Sequence, residues 1–251
     1  MASVFRAWDN ETGEERAVKI LLPTAASSEK ARLRFRREAE TMAGLDHPSI
    51  VKVWDVGEDE GHVWFSMDLA LGSLSTLVRT RGALSLRDIL VYTWQVLEAL
   101  DHAHARGVIH RDVKPHNMLL GRTRRVLLTD FGIARQLSMG EAARITGTGD
   151  MLGTLAYMAP EQRMDARGAG PAADIYGVGA VVYNLATTRR PLDIALSVID
   201  PSVFLRLPPE LRELVERATQ FEPGERYPSA KNMILDVQRI WDSLPPEPGQ
   251  A

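Results

Sequence analysis

Val108 to Gly132 reads VIHRDVKPHNMLLGRTRRVLLTDFG. Two short apolar runs, Met118 to Leu120 and Val126 to Thr129, flank the basic, Gly-led segment Gly121 to Arg125. That pattern predicts an antiparallel hairpin. In a hairpin the residue before the first strand faces the residue after the second, which sets Asn117 opposite Asp130. Asp112 lies five residues before Asn117, in a loop stiffened by Pro115. Two carboxylates and an amide at one hairpin mouth suit a hard divalent cation, Mg2+ ahead of any softer metal.

The rest of the 251-residue chain is ordinary for a globular protein, with 45% hydrophobic and 25% charged residues. A net charge of -3 offers no basic footprint, so no nucleic-acid partner is expected. Cysteine is absent, which removes disulfides and thiolate metal sites. No apolar run reaches the length of a membrane span and no signal-peptide pattern opens the chain, so a cytoplasmic protein without a membrane span is expected.

The ordered set His110-Arg111-Asp112-Val113-Lys114-Pro115-His116-Asn117, then Asp130-Phe131-Gly132, then Ala159-Pro160-Glu161, resembles the catalytic loop, metal-binding triplet and activation-segment end of the protein kinase family. The likeness extends over about residues 2 to 241 and is nearest to bacterial serine/threonine protein kinases. It implies an α+β, two-lobed fold: an incomplete β-rich N-lobe (1–67), a hinge (68–71) and a mainly helical C-lobe (72–241). A Pro-rich tail would follow (242–251). The implied activity is Mg-dependent transfer of the ATP γ-phosphoryl group to Ser or Thr hydroxyls of protein substrates.

Upstream of the central stretch, Ser3 to Trp8 and Glu15 to Leu22 read as strands around the turn Asp9 to Gly13. Ala17-Val18-Lys19 resembles the kinase strand whose lysine holds the α- and β-phosphates. Taken alone, Lys19 is a surface lysine at a strand edge. Val4 matches the valine of the family's Gly-rich loop and Ala2 falls at its third glycine, so the loop is expected to be truncated. That truncation supports a competing expectation, a non-catalytic pseudokinase or scaffold module. Intact Lys19, Asp112, Asn117 and Asp130 weigh against it.

Ser27 or Ser28 can cap the next helix, with Leu33, Ala39, Met42 and Leu45 as its apolar face. Glu38 matches the family's glutamate partner of Lys19; the simpler assignment is an ion pair with Arg34, one turn back. Met67 falls at the gatekeeper position. The backbones of Asp68 and Ala70 would meet adenine, with Val4, Ala17 and Leu119 also lining the nucleotide site. Leu86 to Arg106 has helical spacing and Gly107 suits its C-cap. His102 and His104 read as ordinary helix-end histidines, and His116 needs no functional role.

By the same resemblance, Asp112 accepts or orients the hydroxyl proton, Lys114 offsets charge on the moving phosphoryl, and Asn117 with Asp130 holds Mg2+. Thr154 matches the threonine that contacts the catalytic aspartate. Thr146 and Thr148 are candidate autophosphorylation sites, with Arg111 as the phosphate-pairing cation. Asp174, which opens an apolar helix to about Thr187, either holds the catalytic-loop backbone or serves as a plain N-cap. Arg226 is the implied ion-pair partner of Glu161. The family likeness also leaves room for activation through a homodimer.

Overall fold

Alternating β-branched, aromatic and polar residues build the first sheet. In the computed structural model, which describes residues 2–131, 155–164, 169–197 and 200–246, strands β1 (Ala2–Asp9) and β2 (Glu14–Leu21) pair antiparallel around the expected turn. Helix α1 (Pro23–Ala26) is a single turn. Helix α2 (Glu29–Ala43) starts at Ser28, whose side chain accepts from the Ala31 N–H. Strands β3 (Val53–Asp59) and β4 (His62–Asp68) complete a four-stranded sheet of order β1-β2-β4-β3.

Period-two alternation buries Val63, Phe65 and Met67 of β4 together with Ala17 and Leu21 of β2. Phe35, Ala39 and Met42, spaced at i, i+4 and i+7, form the inward face of α2, and the Phe35 and Phe65 rings meet at 5.0 Å. Leu33 does not join that face. It is 45% exposed, because two residues of helix rotate it by about 200° from Phe35. Outside, the Glu58 carboxylate of β3 binds Arg32 at 2.6 Å and Arg36 at 2.5 Å, tying two turns of α2 to the sheet.

The short strand β5 (Gly72–Ser73) leads into helix α3 (Leu74–Arg81) and then the long helix α4 (Leu86–His104), whose Ser85 cap accepts from the Asp88 N–H. Gly107 takes φ +72° just beyond α4, a left-handed turn that glycine adopts without strain. Strands β6 (Met118–Leu120) and β7 (Val126–Leu128) form the expected antiparallel hairpin and join β5 in a second sheet, order β5-β6-β7. The segment after α2 clamps onto that hairpin: the Val51 N–H donates to Leu128 O and the Leu128 N–H to Ser49 O, at 3.0 and 2.8 Å. These two bonds register one sheet against the other.

Helices α5 (Pro160–Met164), α6 (Pro171–Thr187), α7 (Pro209–Ala218) and α8 (Ala230–Ser243) follow. Helix α6 is buried on all sides between Ala173 and Leu185, which makes it the axis of the helical lobe. Its glycines permit close approach. A Cβ at Gly177 would lie 2.7 Å from Val113 Cβ, and one at Gly179 would lie 2.7 Å from Thr219 Cγ2. The last helix continues to Ser243, past the expected boundary at 241, and Arg87 donates to the carbonyl of Pro245. Among the described residues no helix is long and apolar enough to cross a membrane.

Candidate active site

Lys19 sits in register opposite Phe65 of β4 and Val4 of β1, so it shares the sheet face that packs on α2. Glu38 lies one turn beyond Phe35 on the buried face of α2. The two meet: Lys19 Nζ is 2.6 Å from Glu38 Oε1 and 2.8 Å from Asp130 Oδ1. Glu38 pairs with Lys19 of β2, 19 residues away in the chain, instead of with Arg34 on its own helix.

This triad is electrostatically unequal. Burial alone would lower the Lys19 pKa, but Asp130 and Glu38 outweigh it and hold the ammonium above its usual value. Burial pushes the Glu38 carboxyl up, and Lys19 only partly opposes that rise. For Asp130, burial is overcome by Lys19 and the carboxyl is held below its usual range. Of the two carboxylates, Asp130 is therefore the one that keeps its charge more firmly.

The loop before β6 gathers the second group. Lys114 Nζ lies 2.8 Å from Asp112 Oδ2. Asn117 is buried and donates from Nδ2 to Asp112 O at 2.9 Å and to Asp112 Oδ2 at 3.1 Å. The hairpin partner of Asn117 is Thr129, whose N–H donates to Asn117 O at 3.0 Å. Asp130 lies one residue past the expected position, because the second strand ends at Leu128. It adopts φ +57° there, a left-handed conformation tolerated by aspartate.

His110 joins the two groups. Its Nδ1 accepts from the Asp112 N–H at 3.2 Å, and its Nε2 donates to Thr129 O at 2.9 Å. Its ring also packs on Phe131 at 4.6 Å. One imidazole thus touches the residues on both sides of Asp130 and the backbone of Asp112. The donor set fits a hard cation: the Asp130 carboxylate is 46% exposed, and both Asn117 Nδ2 bonds go to Asp112, leaving its amide oxygen as the unspent atom. No group of three or more His, Cys, Asp or Glu is placed to hold a metal among the described residues, so an all-carboxylate cage is not present there.

Asp174 anchors the loop from below. It is fully buried in α6, where Oδ2 accepts from the His110 N–H at 2.8 Å and Oδ1 from the Arg111 N–H at 2.7 Å. It is not the N-cap of α6; Gly170 holds that position, because Pro171 starts the helix one turn earlier. Arg226, also buried, forks onto Glu161 at 2.6 and 2.7 Å. Arg111 has φ +63°, and its buried Nε meets no hydrogen-bond partner among the described residues.

Ala17 and Met67 are buried and face each other across β2 and β4. Val4 is 56% exposed, and Leu119 sits half-buried in β6. Asp68 closes β4, and Ala70 follows it into the connection to β5. Thr146, Thr148 and Thr154 lie outside the described residues.

Sequence reasoning missed one partner. His104 Nε2 is 2.8 Å from Asp174 Oδ2, so this histidine serves the loop anchor and is not a bystander at a helix end. Seventy residues separate the pair and no local spacing signals it. His116 likewise has a partner, Ser75 Oγ at 3.0 Å.

Residues 1–234 match the protein kinase domain family. The serine/threonine-protein kinase PknA of Mycobacterium tuberculosis is 39% identical over 267 positions, covering all of this chain and 61% of PknA. The serine/threonine-protein kinase PrkC of Bacillus subtilis is 35% identical, over 97% of this chain and 39% of PrkC. The chain therefore spans about three fifths or less of these relatives. Among solved structures, the kinase domain of Mycobacterium tuberculosis PknI, as a cysteine-to-alanine mutant, superposes with a TM-score of 0.70 at 30% identity, covering 96% of this chain and 91% of that one. A family match over residues 1–234 and relatives up to 39% identical across the whole chain show that the chain belongs to the protein kinase family.

Proposed function

We propose that this chain transfers the γ-phosphoryl group of ATP to serine or threonine hydroxyls of proteins. The observation that carries the reading is Lys19 Nζ held between Glu38 at 2.6 Å and Asp130 at 2.8 Å, three residues drawn from β2, α2 and the end of the hairpin. The relatives' names supply the acceptor class. Keeping this mutually paired triad favours an enzyme over a scaffold module.

In this reading Lys19, oriented by Glu38, holds the α- and β-phosphates. Asn117 and Asp130 would hold Mg2+, which neutralises phosphate charge when bound. Adenine rests between Ala17, Met67, Val4 and Leu119 and meets the backbones of Asp68 and Ala70. Asp112 receives the hydroxyl proton, and Lys114, 2.8 Å from it, offsets the charge on the moving phosphoryl. Thr154 favours a Ser or Thr acceptor beside Asp112. The orphaned Arg111 Nε suits a phosphate on Thr146 or Thr148, placed there by autophosphorylation. Most of the rate enhancement then comes from positioning and electrostatics.

Asp112→Asn tests the reading. Transfer from ATP to a generic basic protein should fall about 10²- to 10⁴-fold, while calorimetric ATP binding stays near wild type. Equal transfer by both proteins would remove Asp112 from the chemistry.

A further inference from the structure

Trp54 stands outside every group described so far. The β3–β4 register slips between Val53 and Asp55, so Trp54 is the extra residue of a bulge. A bulge re-aims one side chain away from the regular pleat. Here the indole Nε1–H donates to Asp68 Oδ1 at 2.8 Å. The other carboxylate oxygen of Asp68 accepts from the Lys52 N–H at 3.1 Å, and the Asp68 N–H donates back to Lys52 O at 3.1 Å.

Two cations seat the indole. The Arg16 guanidinium lies 4.0 Å from the ring centroid and the Lys52 ammonium 4.2 Å. Arg16 is the register partner of Asp68, is 8% exposed, and is held in turn by Glu14 at 2.6 Å. Its buried Nε has no hydrogen-bond partner among the described residues and lies 3.9 Å from Asp9 Oδ2. The cluster is built around one carboxylate, and that carboxylate belongs to the first residue of the link between the lobes.

The far end of the link is fixed as well. The Leu71 N–H donates to Leu120 O of β6 at 2.8 Å. Between the two anchors only Leu69 and Ala70 remain. We infer that Trp54 is a positioning residue for the nucleotide: through Asp68 it fixes the short main-chain segment that reads the adenine edge. The inference rests on the kinase reading above and deepens it. A carbonyl and an N–H can discriminate one purine edge from another only if they are held to within a few tenths of an ångström, since hydrogen bonds weaken steeply off their optimum. Phenylalanine could keep the ring and both cations but cannot donate to Asp68.

The test uses Trp54→Phe and Asp68→Ala in the full chain, singly and together. Trp54→Phe should raise KM for ATP about fivefold, the size of one lost hydrogen bond, and Asp68→Ala, which also strands the Lys52 N–H, at least as much, with kcat moving less in both. The preference for ATP over GTP in kcat/KM should shrink by a similar factor, because the purine edge is what the segment reads. Inhibition by Mg-tripolyphosphate, which has no purine, should not change. The double variant should resemble Asp68→Ala alone, since that change already removes the Trp54 contact. Unchanged KM and unchanged ATP-to-GTP preference in folded variants overturns the inference and leaves the kinase reading intact. Equal weakening of ATP, GTP and tripolyphosphate overturns it too, since a general loosening of the lobe would do that. A wild-type chain that binds no ATP removes both readings at once.

Discussion

His104 Nε2 and Asp174 Oδ2 lie 2.8 Å apart, joining the last residue of α4 to the fourth residue of α6. A carboxylate oxygen only accepts, so the ring presents its Nε2–H. With the His110 and Arg111 N–H groups, three donors converge on one buried carboxylate. Asp174→Ala should cost about 3–5 kcal/mol, because it strands those donors out of reach of water. His104→Phe, which removes a single donor, should cost about 1–2 kcal/mol. Urea unfolding of both variants measures the difference, and equal midpoints would deny the convergence.

Arg226 makes five hydrogen bonds from a fully buried side chain: two to Glu161 and one each to the carbonyls of Ala172, Gln220 and Phe221. Lysine carries the charge but neither the planar fork nor the donor count. Arg226→Lys should therefore lose about 2–4 kcal/mol in urea unfolding despite conserving charge. A variant within experimental error of wild type would show that charge alone holds α5 to the helical lobe.

Gly177 separates α6 from the loop residue next to Asp112. A Cβ there would meet Val113 Cβ at 2.7 Å and Val113 O at 3.2 Å. Gly177→Ala gains about 1 kcal/mol of helix propensity, against an overpacking cost of about 1–3 kcal/mol. Stability should therefore move little, while kcat falls about tenfold as Asp112 is displaced. Gly224→Ala, whose Cβ would point into open space, is the control and should be silent. Steady-state kinetics on the pair decides the matter; parallel kcat values would place no strain on the loop.

The His47 and His102 rings pack at 5.1 Å between the segment after α2 and helix α4. Both pKa values lie below the usual imidazole range. For His47 the causes are burial, then the charge of His102, with Glu98 opposing and Arg125 and Arg106 adding to the fall. For His102 they are burial, then Arg106, with Asp46 opposing. A depressed folded-state pKa means that the unfolded chain takes up the proton first. The stability is thus complete above about pH 6.5 and is lost as pH falls toward the lower folded values. Subtracting the urea midpoint of His47→Gln from that of wild type should reveal a difference that shrinks on acidification. A difference that grows would reverse the sign.

Local pattern made much of this legible. The hairpin at Met118 to Leu128, the Ser28 cap and the alternation in β4 are written in consecutive residues, since turns, caps and pleats act over a few bonds. The Asp112–Asn117 contact spans five residues and was within reach of the same logic. Partner choice at long range was not. Glu38 could have paired with Arg34, Asp174 could have been a cap, and Trp54 gave no sign that it would reach Asp68.

Sequence by itself thus determined the chemistry on offer: a lysine, a glutamate, two aspartates and an asparagine in family order, on elements whose type their neighbours dictate. Tertiary structure alone decided which of them meet. Lys19 reaches Asp130 across 111 residues because β2 and the hairpin are registered through Val51 and Leu128, not because of anything near Lys19 in the chain. Short-range forces act along the backbone and can be read there. Ion pairs and close packing depend on distance in space, and burial makes an unpaired charge costly.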